Sequence, residues 1–97
     1  MPAPVSTCQL CQRDTRLEFH HLIPRKVHRR AWFAKRYSRD DMHQRGIWLC
    51  RLCHRFVHRH FDEVTLGRDY ATLDRLLADP GVQRHLQWAG RQRPGKR

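Results

Sequence analysis

The chain carries its chemistry in cysteines and histidines, and their spacing sorts them into groups. Cys8 and Cys11 form one C-x2-C pair and Cys50 and Cys53 a second, with 38 residues between the pairs. Each pair offers two thiolates from one turn, and two such knuckles complete the tetrahedral shell of a structural zinc ion. The other readings of four cysteines are free buried thiols or two disulfides. A closed four-cysteine shell keeps no open position, so such an ion would hold the fold and take no part in a reaction.

The histidines point to a second centre. His54 and His58 stand four apart in "RLCHRFVHRHF", a helical spacing at which two imidazoles can grip one ion. They can equally be surface histidines, or His54 can replace a cysteine in the zinc shell. His20 and His21 are adjacent in "LEFHHLIPRK". Neighbouring side chains of a strand leave on opposite sides, so this pair is poorly placed to chelate together and is expected to divide its labour. His20 can supply a third ligand from the strand. His21 then stays free of metal, and a neutral imidazole beside a metal-bound phosphate can take a proton from water near neutral pH. That division needs the strand to kink near Pro24, so that both rings reach one cleft.

These residues must be positioned by local elements. "CQLCQRDT" forms a tight knuckle, and a short strand follows around "RLEFHHLI". Pro24 ends or bends that strand, because it cannot donate a ladder hydrogen bond. A partly helical connection is expected from Val27 to Tyr37. Gly46 marks the turn before the apolar strand "GIWLC", which is expected to pair with "EFHHL". A helix follows over "RLCHRFVHRHF", with Phe56, Val57 and His60 turned inward. Tyr70, Leu73, Leu76 and Leu77 recur at helical spacing, and a last helix begins with Asp79 as cap and Pro80 in its first turn. Trp48, Leu86 and Trp88 are expected in the core. The division is an N-terminal arm (1–7), a core (8–60), a helical extension (61–90) and a basic, disordered tail (91–97). The extension either covers the back of the zinc site or forms a dimer face.

Charge limits the partners. Lys and Arg number 20 against nine Asp and Glu, for a net charge of +11 and a pI near 11.0 over 97 residues. Such a field captures polyanions, nucleic acid first. No apolar run marks a membrane span and no signal-like segment opens the chain, so an intracellular, cytoplasmic protein is expected. "RKVHRRAWFAKRYSR" interleaves Arg25, Lys26, His28, Arg29, Arg30, Lys35, Arg36 and Arg39 with Trp32, Phe33 and Tyr37. Phosphate contact by the arginines and core packing by the aromatics are expected together, with Arg51, Arg55 and Arg59 adding to the same surface.

The order Cys-x2-Cys, "FHHLIP", "LCRLCHRFVH" resembles the HNH endonuclease family over residues 8 to 60. The resemblance implies an α+β fold, a small ββα-metal unit with a structural four-cysteine zinc site, here with additional C-terminal helices. It implies hydrolysis of DNA phosphodiester bonds with one divalent cation, leaving 5′-phosphate and 3′-hydroxyl ends. By position, His20 and His54 match metal ligands, His21 the general base, and His58 a further ligand or phosphate contact. The family's central Asn has no counterpart, since the chain contains no Asn; His43 or Arg45 stands nearest that place. A histidine-rich set favours Mn²⁺, Ni²⁺, Co²⁺ or Zn²⁺, which are expected to work at least as well as Mg²⁺. The expected partner is double-stranded DNA, nicked if the protein is monomeric, with a homodimer left open. The competing readings are a zinc-ribbon-like nucleic-acid-binding module without catalysis, and an interaction domain of a larger nuclease assembly.

Overall fold

Two short β-prone runs find each other across a 24-residue connection, and everything else packs on that pairing. In the computed structural model, which describes residue 3 and residues 5–93, β1 (Leu17–His21) and β2 (Gly46–Cys50) form an antiparallel sheet. The register sets Phe19 opposite Trp48, His20 opposite Ile47 and His21 opposite Gly46. A Cβ on Gly46 would run into the Phe19 ring and the His20 carbonyl, so this close approach needs glycine. The N-terminal knuckle is sewn to β2 as well: the Gln9 amide donates to the Trp48 carbonyl at 3.0 Å, and the Trp48 amide donates to Gln9 Oε1 at 2.7 Å.

The connection is less regular than a single helix. Pro24 leads into a 3-10 turn at Arg25–Val27, then α1 (Ala31–Arg36) and α2 (Arg39–Gln44) follow. The connection is partly helical, as expected, and its first turn is interrupted at His28, whose Nε2 donates back to the Ile23 carbonyl at 2.6 Å. Phe33 is buried with Ile23, Val27, Met42 and Ala71, and Tyr37 is half-buried against them. Trp32 departs from the expected core. It is 37% exposed, with the Arg36 guanidinium 4.0 Å above its ring.

Beyond β2, Cys50 caps α3 (Arg51–His60), and α4 (Glu63–Asp69), α5 (Leu73–Ala78) and α6 (Pro80–Ala89) follow. Side chains of Ser38, Asp62, Thr72 and Asp79 accept from backbone amides at the starts of α2, α4, α5 and α6. Residues 61–90 share one core with the cysteines: Leu66, Leu76, Val82 and Ala89 pack with Cys8, Cys50, Cys53 and Val57. The helical extension therefore covers the back of the cysteine cluster. No helix among the described residues is long and apolar enough to cross a membrane.

Three further expected core positions, besides Trp32, lie elsewhere. Trp88 is 52% exposed, because the buried stripe of α6 runs Val82–Ala89 and one residue along a helix turns a side chain by about 100°. Trp48 is half-buried on the opposite sheet face from Ile47 and Leu49, in contact with Phe19. His60 is exposed and turned to Asp79 at 3.0 Å, while the inward stripe of α3 is Cys53 and Val57, continued by Phe61. Phe56 lies stacked between His60 and His85, joining α3 to α6. Of the basic tail, residues 94–97 lie outside the described residues, as do Met1, Pro2 and Pro4 of the arm. Arg93 is held, its carbonyl accepting from Arg13 Nη1 at 3.1 Å.

Asp79 ties these helices together by accepting from the Val82 amide, Tyr70 Oη and His60 Nε2. Burial opposes its charge, but those bonds outweigh burial and hold its carboxyl below the usual range. A depressed folded pKa stabilises the protein above the unfolded value of about 3.9, and that stabilisation is lost as pH falls through the folded value. Asp79→Ala is expected to cost about 1–2 kcal/mol at neutral pH, from loss of the cap. In thermal melts the gap between variant and wild type should narrow as pH falls below the carboxylate range.

Candidate metal centres

The first centre begins at the knuckle. The Cys8 amide donates to the Arg13 carbonyl at 3.0 Å, and Gln12 takes the left-handed conformation (φ 67°) that turns the chain back. The Cys11 amide donates to Cys8 Sγ at 3.4 Å. Cys50 and Cys53 reach the same point from the end of β2 and the first turn of α3, where unpaired amides favour thiolate. All four sulfurs lie within 4.8 Å of one another, and Cys11 and Cys50 are 3.6 Å apart. A tetrahedral ion with metal–sulfur bonds of about 2.3 Å has edges of about 3.8 Å, so the cluster could hold a metal ion such as zinc. The four cysteines are free of disulfides. Packed this closely, they share protons unevenly: bonds from Cys53 and Cys8 draw Cys50 below the usual thiol range, and Cys53 is driven up.

Arg13, which sequence reasoning missed, completes this centre. Its Nε donates to Cys11 Sγ at 3.3 Å, Nη2 to Cys50 Sγ at 3.1 Å, and Nη1 to the Arg93 carbonyl. Burial opposes the guanidinium charge, but the two cysteines more than compensate and raise its pKa. One cation thus offsets part of the thiolate charge and clasps the C-terminal segment over the centre.

The second centre is built on an adjacent face of α3, one residue along from Cys53 and Val57. His20, Glu18 and their neighbours alternate along β1, so His20 and Glu18 share a face while Phe19 and His21 take the other. His20 meets His54 and His58, ring centroids 5.3 and 5.4 Å away, and the three rings bring ligand nitrogens within 4.8 Å of one another. Two carboxylates orient the helix pair. His54 Nδ1 lies 2.9 Å from Glu18 Oε1, and His58 Nδ1 lies 3.5 Å from Glu63 Oε1. A neutral ring with its Nδ1–H on a carboxylate presents a lone pair at Nε2. The two Nε2 atoms stand 3.2 Å apart. An ion at about 2.1 Å from each would see them at about 100°, a normal ligand angle.

His20 supplies the strongest sign of an occupant. It is 0% exposed, and neither ring nitrogen has a hydrogen-bond partner among the described residues. Leaving a buried polar atom unsatisfied costs about 1–3 kcal/mol, and a ligand taking the lone pair would remove that cost at one of the two nitrogens. Burial, with His54 and His58 close by, pushes its pKa down to about 3, so the ring stays neutral. Burial likewise lowers His58, with His54 adding and Glu63 opposing.

His21 leaves the sheet on the other side, yet β1 ends there and the bend before Pro24 lets it line the same cleft. That cleft, about 440 Å³, is walled by His21, His54, His58, Glu63, Arg25 and Lys26. Burial lowers the pKa of His21, helped by His28, Arg25 and His43. His43 has its ring 6.4 Å from that of His21 and 5.1 Å from His28. Arg45 is not brought to the cleft. Its guanidinium is held by Asp41 at 3.2 Å and lies 5.3 Å from the Tyr37 ring. Of the basic residues, Arg25, Lys26 and Arg29 line clefts on this side, and Arg55 borders His54 and His58. Arg51 faces a separate cleft with Arg13, Arg16 and Glu18. Arg30 and Lys35 are exposed, and Arg36 is engaged by Trp32.

The sequence signal for Glu18 was available in strand alternation, two residues before His20. Glu63 and Arg13 had no such signal, since folding alone brings them near. Compared with family models, curated proteins and solved structures, the chain matches none.

If the cysteines hold a metal, Arg13→Ala is expected to weaken its retention about 10–100-fold, the usual effect of losing an outer-shell partner. Chelator competition with a chromogenic zinc indicator measures this directly. Unchanged retention would show that the guanidinium only fastens the C-terminal segment.

Proposed function

We propose that the protein is a metal-dependent DNA endonuclease of the HNH type that nicks one strand per encounter. Its cysteine centre would hold a structural zinc ion, and its histidine trio a second, working cation. The observation that carries this reading is the trio itself: His20, buried with both nitrogens unpartnered, facing His54 and His58, whose outer nitrogens are fixed by carboxylates. A non-catalytic zinc module needs the cysteines and the arginines but has no use for this arrangement.

His20, His54 and His58 would hold the cation, which when bound supplies Lewis acidity to a phosphate oxygen and to the leaving 3′ oxygen. The chain's own residues do the rest. Arg25 and Lys26, on the wall of the cleft, draw in the phosphate backbone. His21 enters the same cleft from the other sheet face and is kept neutral by its surroundings, as a base for water must be. The bond at Ile23 that pins His28, and the contact of His28 with His43, stiffen the bend that carries His21. His43 is one of the two residues that the sequence offers in place of the family's Asn.

Supercoiled plasmid should be nicked with Mn²⁺, Ni²⁺ or Co²⁺ at least as well as with Mg²⁺, because imidazole ligands favour later transition metals. His21→Ala should lower the rate about 10²- to 10⁴-fold while zinc content and thermal midpoint stay unchanged. Tight plasmid binding with no nicking under any ion would establish the binding module instead. Activity with Mg²⁺ alone would contradict the three-histidine ligand set.

A further inference from the structure

We propose that the cleft between the 3-10 turn and helices α1 and α2 is a subsite for an unpaired stretch of the DNA strand. The choice of DNA rests on the endonuclease reading, whereas the cleft and its preference for an unpaired strand rest on separate observations.

This cleft is the larger of the two that flank the bend, at about 960 Å³, and Arg25, Lys26, Arg29 and Arg39 line it. No carboxylate among the described residues lines it, and Asp41 of the same helix is held by Arg45. The cations therefore stand unneutralised around one recess, the arrangement that recruits phosphates. By contrast, the cleft at Arg16, Arg51 and Arg55 also contains Glu18.

The recess is continuous with the histidine centre through its wall. Arg25 and Lys26 line both this cleft and the one that holds His21, His54 and His58. A strand with one phosphate at the trio would pass over that pair of residues and continue into the larger cleft.

The lining also suits bases. Tyr37, Met42, His28 and His43 contribute rings and a thioether between the cations. His28 is pinned to the Ile23 carbonyl and meets His43 edge-on at 5.1 Å, so the ring wall is in place before any ligand arrives. A duplex hides its base faces and offers only phosphates to the rim of a recess. An unpaired strand can give phosphates to the arginines and base faces to the rings, which is how sequence-tolerant single-strand sites are built.

The test uses the zinc-loaded full chain without added divalent cation and a dye-labelled mixed-sequence oligonucleotide, single-stranded or as a duplex. Fluorescence anisotropy compares Arg29→Ser/Arg39→Ser with a control, Arg84→Ser/Arg91→Ser, which removes the same charge elsewhere. All four arginines are exposed, so folding is checked simply by thermal midpoint. Single-strand affinity should fall about tenfold in the cleft variant, and its log–log salt slope should drop by about 1.4, two contacts at about 0.7 each. Duplex affinity, and both affinities of the control, should change by less than about threefold, as for non-contacting surface charges. Parallel losses on duplex and single strand, or no loss on either, would overturn the subsite. Because no cleavage is read, a chain that shows this pattern yet never nicks defeats the endonuclease reading alone. A nicking chain with parallel losses defeats the subsite alone.

Discussion

The meeting of residues 8–11 with residues 50–53 is the constraint on which the rest of the protein depends. It closes most of the chain's first half into one loop, a costly step for so short a polypeptide. The four sulfurs gather where β2 ends and α3 begins, so the same cluster sets the end of the sheet and the start of the helix. His54 follows Cys53 directly and His58 stands one turn later. His20 is fixed in turn by the register of β1 on β2. Both parts of the histidine trio are thus referred to one origin, and a metal bound by the cysteines would indirectly hold the histidines in place. Free energy of metal binding at that cluster would then be free energy of folding. Arg13 extends the same device to the C-terminal segment, which it fastens through Arg93.

Strand geometry explains the adjacent histidines. Alternation sends His20 inward with Glu18 beside it and His21 outward with Phe19, and His21 still lines the cleft of His54 and His58 because the strand stops and the chain bends before Pro24. Gly46 makes that possible by letting Phe19 lie over the backbone opposite His21. The environments then diverge. His20 is sealed and unpartnered, whereas His21 opens on a cleft flanked by cations. One sequence pair acquires two chemical characters from one backbone rule.

Much of this was legible in the sequence, for identifiable reasons. The C-x2-C pairs and the four-residue spacing of His54 and His58 are local, and local spacing survives folding. The pairing of "EFHHL" with "GIWLC" and the Asp79 cap also followed from short-range chemistry. What escaped was whatever depends on tertiary approach. Glu63 reaches His58 from the next helix, and Arg13 reaches Cys50 across 37 residues. His28 looked like one more cation in a basic run until its bond to Ile23 turned it into a brace. Trp88 and Trp48 were expected inside by residue type, but position on a stripe or a sheet face decides burial, and both lie one step off it.

The most direct test of the two-centre account is anomalous diffraction from crystals of zinc-purified protein soaked in Mn²⁺, with data collected at the edges of both metals. The account predicts a zinc peak among Cys8, Cys11, Cys50 and Cys53, and a separate manganese peak bounded by His20, His54 and His58. A single peak at the cysteines with none at the histidines, or a zinc shell in which His54 replaces one of the thiolates, would contradict it.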